Sequence, residues 1–263
     1  MDLGLRGRVA LVTGGSRGIG AAIAVALGQE GAHVALTYRD SAEHAATVAK
    51  RVERAGGQAL TVPLDLTDHA TIDAAVDTVR AHWGGIDVVV ANAVQWPTAM
   101  PARGGRFEDV DSSMWQGDLR ANLEGTFATV RAALPAMRGR ADGRIVFISS
   151  GVAEEGLPGA WSYGAAKAGL HGFARALAWD LGPEGILVNV VATGFTLTET
   201  NRDRMPQEVL DRVASATLAN RLSVPEDVAA LVAYLGSTAN RSVTGEVIRE
   251  GSSTTRSSHG AFA

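Results

Sequence analysis

Cysteine is absent from the 263-residue chain. That excludes disulfides, thiol nucleophiles, iron–sulfur clusters and cysteine-based zinc sites together. It also fits a reducing compartment. Lysine is nearly absent: of 24 basic residues only Lys50 and Lys167 are lysines, leaving 22 arginines. No stretch approaches the roughly 20 apolar residues that a membrane helix needs. The first fifteen residues carry no secretory pattern, so no signal peptide is expected. No His-Glu-x-x-His occurs among the six histidines, and no metal is expected. A basic excess is missing too. With 24 basic against 28 acidic residues the net charge is −4, which leaves no electrostatic footprint for nucleic acid. The expectation is a cytoplasmic protein with no membrane and no nucleic-acid partner.

What is present is enough for one core. Hydrophobic residues make up 46% and charged residues 20% of the chain, which argues against intrinsic disorder. Residues 1–263 read as one α/β domain, with a loose Ser/Thr-rich tail over 252–263. Short apolar runs at Arg8–Thr13, His33–Tyr38, Gln58–Leu64, Asp87–Ala91, Arg144–Ser149, Ile186–Ala192 and Glu246–Arg249 alternate with helical patterns. The helices are expected at Ile19–Glu30, Ser41–Ala55, Asp68–Trp83, about Glu108–Met137, Trp161–Leu181, and from a start at Ser223-Val-Pro225-Glu226-Asp227 to about Leu235. Runs of Val, Ile and Leu without strict alternation suit strands buried on both faces. The pattern predicts a doubly wound parallel sheet of about seven strands with helices on both faces. Thr193–Asn220 is polar and mixed, and reads as a mobile insertion over the carboxyl edge of the sheet.

Between the first strand and first helix lies Thr13-Gly14-Gly15-Ser16-Arg17-Gly18-Ile19-Gly20. Glycines there permit a tight turn, and the helix-opening N–H groups can hold a pyrophosphate. It is not a P-loop, because Ala21-Ala22 follows the last glycine instead of Lys-Ser/Thr. An acid at the end of the second strand would favour the unphosphorylated ribose of NADH. Here Arg39 follows Tyr38, and Asp40 reads as part of a capping box with Glu43. Arg17 and Arg39 then form a guanidinium clamp for a 2′-phosphate, so NADPH is the expected cofactor. Asp65 has two readings, an adenine contact or a turn residue.

Tyr163-Gly-Ala-Ala-Lys167 sets a phenol and an ammonium one helical turn apart on one face. An ammonium about 4–6 Å away favours phenolate and lowers a phenol from ~10. Such a phenol can give a proton to a carbonyl oxygen or take one from an alcohol. A compact ammonium also reaches a ribose hydroxyl where a planar guanidinium would crowd it. Ser150 ends the Arg144–Ser149 run, thirteen residues before Tyr163. A hydroxyl there can polarise a carbonyl oxygen. No Gly-x-Ser-x-Gly elbow surrounds it and no histidine is evidently placed, so it is not read as a nucleophile.

With these motifs the chain resembles the short-chain dehydrogenase/reductase family, single-domain type, over nearly its whole length. The matching positions are Thr13–Gly20, Asp65, Ala91-Asn92-Ala93, Asn122, Ser150, Tyr163 and Lys167. The resemblance implies a Rossmann-type fold. It implies Tyr163 as proton donor, Lys167 as phenol activator and ribose ligand, Ser150 as the carbonyl-oxygen ligand, and Asn122 as the residue ordering a water toward Lys167. The implied cofactor contacts are Gly14, Ser16, Arg17, Gly18, Ile19, Gly20, Arg39, Asp65, Leu66, Asn92, Ala93, Tyr163, Lys167, Gly194 and Thr196. Three positions depart from the family pattern. Ala91-Asn-Ala-Val94 replaces Asn-Asn-Ala-Gly, Thr193-Gly194 replaces Pro-Gly, and Glu250-Gly251-Ser252 replaces Asp-Gly-Gly.

Val94, Trp96, Gly151, Trp161 and Phe195 are the expected substrate contacts, with Trp115 near them. Tryptophans at one site point to a broad apolar ligand; core or subunit contacts are the other reading. Gln95–Arg106 is a long irregular segment of the kind that selects substrates. The whole is similar to ketoreductases that tailor aromatic polyketides, so the expected substrate is an apolar aromatic ketone. Two alternatives stand: a 3-oxoacyl-carrier-protein reductase, and an NADPH-sensing binding protein without catalysis. The resemblance also implies a homo-oligomer, a tetramer, built through the Tyr163 helix and the helix near Val228.

Overall fold

A computed structural model of the chain describes residues 2–96 and 106–251. The expected tail at 252–263 and most of the Gln95–Arg106 segment lie outside the described residues. Seven strands form one sheet in the order β3-β2-β1-β4-β5-β6-β7. They are β1 Val9–Val12, β2 His33–Tyr38, β3 Gln58–Pro63, β4 Val88–Ala91, β5 Arg144–Ser150, β6 Leu187–Thr193 and β7 Val247–Glu250. Every pair is parallel. Parallel strands put all their carboxyl ends on one edge. The order reverses between β1 and β4, the place where open α/β sheets bind their ligands.

The central strands are apolar because both faces are covered. All four residues of β1 and of β4 are buried. On one face the core includes Leu11, Val89, Ile145, Phe147 and Leu170. On the other it includes Val12, Ile23, Leu36, Val90 and Val232. Helices α1 Gly18–Gln29, α2 Ala42–Arg54 and α3 His69–Trp83 follow the first three strands. Asp68 caps α3 by accepting from the Ala70 N–H at 3.0 Å, a typical N-terminal stop for orphan amides.

The Glu108–Met137 pattern is not one helix. It divides into α4 Ser112–Leu119, a π-helical turn Arg120–Glu124 and α5 Gly125–Met137. Asp111 accepts from the Ser113 N–H at 2.8 Å and so starts α4 late. A Cβ on Gly125 would stand 2.3 Å from the Leu66 carbonyl oxygen, so α5 approaches the β3 exit only because that residue is glycine. The polar insertion is likewise more ordered than its composition implied. It contains α8 Glu199–Arg204 and α9 Gln207–Ser215. Leu210 and Val213 give α9 a buried side, which is why a mostly polar segment still packs.

A short α6, Val152–Glu155, leads to the long α7, Trp161–Leu181. The last helix, α10, spans Pro225–Leu235. It opens with proline in its first turn, and Asp227 accepts the Val224 N–H at 3.0 Å. Among the described residues no helix is long and apolar enough to cross a membrane.

Candidate active site

The carboxyl end of β1 turns into α1 through residues 13–17. Gly14 has φ of +64°, and a Cβ there would sit 2.9 Å from Ala93 Cα. A Cβ on Gly20 would meet the Gly14 carbonyl oxygen at 2.3 Å. The loop therefore lies backbone to backbone against the β4 exit. Thr13 Oγ1 accepts the Asn92 and Ala93 N–H groups, each at 3.0 Å. The Asn92 side-chain amide donates back to the Thr13 and Gly14 carbonyls at 2.9 and 3.2 Å. Ser16, Gly18 and Ile19 are half-buried at the opening of α1, and Ile19 packs on the core beneath. The result is a rigid cradle of free helix-opening amides, the geometry a pyrophosphate needs.

At the end of β2 two arginines stand in solvent. Arg17 donates to Ser41 Oγ, and Arg39 Nε donates to Asp40 Oδ2 at 2.7 Å. The Asp40 cap expected from sequence is not formed. Ser41 takes the N-cap position of α2 and no side chain caps the helix. Arg39 is the stronger attraction for the Asp40 carboxylate. That contact keeps Arg39 firmly charged. Asp65 turns one oxygen inward, accepting from the Thr67 N–H and hydroxyl at 2.8 Å each. These bonds depress its carboxyl, so Asp65 is a turn residue whose charge also faces Arg39. Leu66 is buried behind it.

The reactive set is assembled by β5, the π-helical turn and α7. Ser150 ends β5, and the Val152 N–H donates to its Oγ at 3.2 Å. The Ser150 hydroxyl stands close enough to the Tyr163 phenol to act on its acidity. Lys167 is fully buried, and Nζ donates to the Ile148 carbonyl at 2.8 Å. The ammonium stands 5.8 Å from the centre of the Tyr163 ring. Burial pulls Lys167 down to about 8. The Tyr163 phenol moves in the direction opposite to the expectation. Burial holds it above its ordinary value, and only the Ser150 hydroxyl works the other way. The ammonium is spent on a backbone carbonyl rather than aimed at the phenol oxygen. The site therefore keeps the phenol protonated.

Asn122 lies in the π-helical turn, a distortion that often marks functional positions. It is wholly buried. Its Nδ2 donates to the Gln95 carbonyl and its Oδ1 accepts the Gln95 N–H, both at 2.8 Å. In this arrangement Asn122 pins the chain leaving β4. Ser162 Oγ donates to Asp118 Oδ2 at 2.6 Å, which ties the start of α7 to α4.

The expected substrate residues separate into groups. Trp96 covers Tyr163, with ring centres 4.8 Å apart and planes at 55°. Trp161 meets Phe107 edge-on at 5.2 Å. Val94 is half-exposed on the same β4 exit. Gly151 donates its N–H to the Thr193 carbonyl at 2.9 Å beside Ser150. Gly194 lies against the β7 end, where a Cβ would stand 2.0 Å from the Gly251 carbonyl oxygen. Phe195 is half-buried just beyond it, and Thr196 is buried, bridged to Ser223. Trp115 does not join them. It lines a separate open groove with Leu119, Leu123 and Phe127 along α4, the π-helical turn and α5. Glu250, in place of the family's aspartate, accepts from Ser223 Oγ at 2.9 Å, and burial raises its carboxyl.

Sequence reasoning missed one constellation. Ser149 Oγ lies 2.8 Å from His171 Nε2, and His171 Nδ1 lies 4.0 Å from Glu154 Oε1. The signal was available: His171 is four residues past Lys167 on the same helix. Among the described residues no cluster of three or more His, Asp or Glu could hold a metal.

Comparison with known proteins agrees with this geometry. A family described as enoyl-(acyl carrier protein) reductase matches residues 14–249. Versicolorin reductase from Emericella nidulans is 35% identical over 258 residues, 93% of this chain and 94% of that protein. The 3-oxoacyl-[acyl-carrier-protein] reductase of Escherichia coli is 35% identical over 246 residues, 94% of this chain and 96% of its own. A dehydrogenase/reductase from Sinorhizobium meliloti superposes with a TM-score of 0.86 at 36% identity, covering 100% of this chain and 98% of that one. A short-chain dehydrogenase from Burkholderia cenocepacia, solved in complex with NADP, gives 0.84 at 36% identity, covering 98% and 99%. The chain belongs to the short-chain dehydrogenase/reductase family, and it is an oxidoreductase.

Proposed function

We propose that the protein is an NADPH-dependent ketoreductase whose substrate is a bulky aromatic ketone of the polyketide type. The observation that carries this reading is the Ser150–Tyr163–Lys167 cluster, with a buried phenol held protonated beside a serine hydroxyl. The loop at Gly14 and Gly20 packs against the β4 exit only because no Cβ stands there, and that packing sets the helix-opening amides for a pyrophosphate. Arg17 and Arg39 are the groups for a 2′-phosphate, and the Burkholderia cenocepacia neighbour binds NADP. Lys167, Asn92, Ala93, Gly194 and Thr196 would line the rest of the dinucleotide. When bound, the dinucleotide supplies the hydride.

The chain's own residues handle the proton. Ser150 donates a hydrogen bond to the ketone oxygen and orients it. Tyr163 gives that oxygen its proton as negative charge develops. The phenolate left behind lies within Coulomb reach of the Lys167 ammonium, which stands 5.8 Å from the ring centre and needs no direct bond to the phenol oxygen to favour the negative charge. A phenol held above its ordinary value is correctly loaded for reduction at neutral pH.

Trp96 over Tyr163, with Trp161 and Phe107 nearby, favours a flat apolar ketone, and the versicolorin reductase relative supports that choice. The equally similar 3-oxoacyl-carrier-protein reductase supports a second reading, a β-ketoacyl thioester substrate. NADPH oxidation measured across both ketone types decides between them. Tyr163→Phe is the control. It is expected to keep NADPH binding and to lose about 100-fold or more in kcat. Near-full turnover by that variant would overturn the assigned acid. We further propose a homotetramer built through α7 and α10, whose exposed Trp179 and Tyr234 offer apolar contact; light scattering at the monomer mass would refute it.

A further inference from the structure

Successive strand side chains point to opposite faces, so Ser149 cannot share the role of Ser150. It is buried, and its Oγ lies 3.2 Å from the Lys167 carbonyl oxygen and 2.8 Å from His171 Nε2. Across the ring, Nδ1 faces Glu154 at 4.0 Å. Glu154 is held from the far side by the Arg249 guanidinium, with Nε 2.8 Å from Oε2. One imidazole thus touches β5, α6 and α7. Those elements carry Ser150, the turn that follows it, and the Tyr163–Lys167 pair.

We propose that His171 is a positioning residue for ketone reduction: through the Ser149 hydroxyl it fixes the Lys167 turn of α7 against the β5 end that bears Ser150, and its protonation resets that contact. The proposal rests on the roles given above to Ser150, Tyr163 and Lys167.

A serine hydroxyl has one hydrogen to give. When the ring is neutral, its proton belongs on Nδ1, facing the Glu154 carboxylate. Nε2 is then an acceptor, and Ser149 donates to it. When the ring is doubly protonated, Nε2–H becomes the donor. The Ser149 hydrogen must then turn to the Lys167 carbonyl, which already accepts the His171 amide within the helix. A positive charge also appears one turn from the Lys167 ammonium, which works against that charge. The groups around the ring are Glu154 and Glu155 on α6, Arg175 and Lys167 on α7, and Arg249 on β7. Burial and Arg175 lower His171 below its ordinary value, and Glu154 opposes them. The neutral arrangement therefore holds at pH 7, and the second appears on the acid side.

The test compares His171→Ala, His171→Gln and Ser149→Ala in the full-length protein. A glutamine amide reaches the place of Nε2 without titrating. His171→Ala is expected to lower kcat about 10-fold, an effect of misplacement, with the Kd for NADPH unchanged. His171→Gln should restore the rate at pH 7 and abolish the fall in kcat on the acid side. Ser149→Ala should match the His171→Ala loss, and the double variant should lose no more than either. Histidine NMR titration gives a readout independent of turnover. One ring should titrate below the ordinary histidine range and shift in Ser149→Ala. Wild-type kcat and pH profile in His171→Ala would overturn the proposal. So would failure of His171→Gln to rescue, or additive losses in the double variant. If the wild-type protein reduces no ketone, the reading of Tyr163 fails, and the NMR shift alone decides whether His171 and Ser149 are coupled.

Discussion

The Trp96 indole lies across the Tyr163 ring at 4.8 Å between centres, so the proton donor is reached past an aromatic wall. Trp96 is half-exposed. Trp96→Ala removes a large planar surface without touching the phenol. The expected result is a rise in KM for polycyclic ketones and a gain for small aliphatic ones. The ratio of kcat/KM between the two classes should fall about 10-fold or more, the scale that pocket contacts provide. An unchanged ratio would mean the wall plays no part in selection.

The acid–base pair sets an alkaline limit. Lys167 titrates near 8 in the folded protein, and its charge is needed to stabilise the phenolate. The Tyr163 phenol stays protonated well above that, since burial raises it. kcat/KM should therefore hold steady near neutrality and fall as pH rises through about 8. The fall should approach tenfold per unit, because a single proton is lost. A profile flat to pH 10 would contradict the burial of that ammonium.

The same burial makes Lys167 a stability cost. Its folded value near 8 lies below the ordinary 10.5, so between these limits the unfolded chain binds the proton more tightly. Stability then rises with pH across that window, by about 3 kcal/mol in all at ~1.4 kcal/mol per unit. Lys167→Met removes the charge and keeps the volume. At pH 7 it should raise Tm by about 2–6 °C while abolishing turnover. Between pH 8 and 10 its Tm should lack the increase seen in the wild type. Thermal melts at both pH values check this. A lower Tm at pH 7 would show that the Ile148 contact outweighs desolvation.

Arg17 and Arg39 can be tested by cofactor choice. Neither touches the glycine cradle's backbone contacts, so their loss should spare the pyrophosphate. Arg17→Ala and Arg39→Ala should each raise the KM for NADPH about 10-fold, the order expected from losing a charge-assisted contact to phosphate. The KM for NADH should change little. Equal losses with both cofactors would place these arginines outside the ribose pocket.

The strand positions and the Tyr163–Lys167 spacing were legible because they are local: apolar runs flanked by glycine, and two residues one turn apart. The break of the Glu108–Met137 pattern was not, since it depends on a π-helical turn and on Gly125 meeting the Leu66 carbonyl. The direction of the Tyr163 shift was also hidden. Spacing gives proximity to an ammonium but not the Ile148 carbonyl that claims it. Asp40 misled for a related reason. A capping pattern competes with whatever cation lies adjacent, and Arg39 wins. The His171 contact needed β5 and α7 to be packed together before it could be seen. Trp115 shows the limit of counting aromatics, because membership in a nearby segment did not bring it to the site.

The Thr13 hydroxyl receives the amides of Asn92 and Ala93, while the Asn92 side chain grips the Thr13 and Gly14 carbonyls. In the proposed function the first of these loops holds the pyrophosphate, and the second leads on to Val94 and Trp96 at the ketone site. Exchanging the β4 exit between relatives to retune ketone preference would therefore disturb the grip on the dinucleotide as well. A transplant of that loop succeeds only when position 13 and position 92 travel with it.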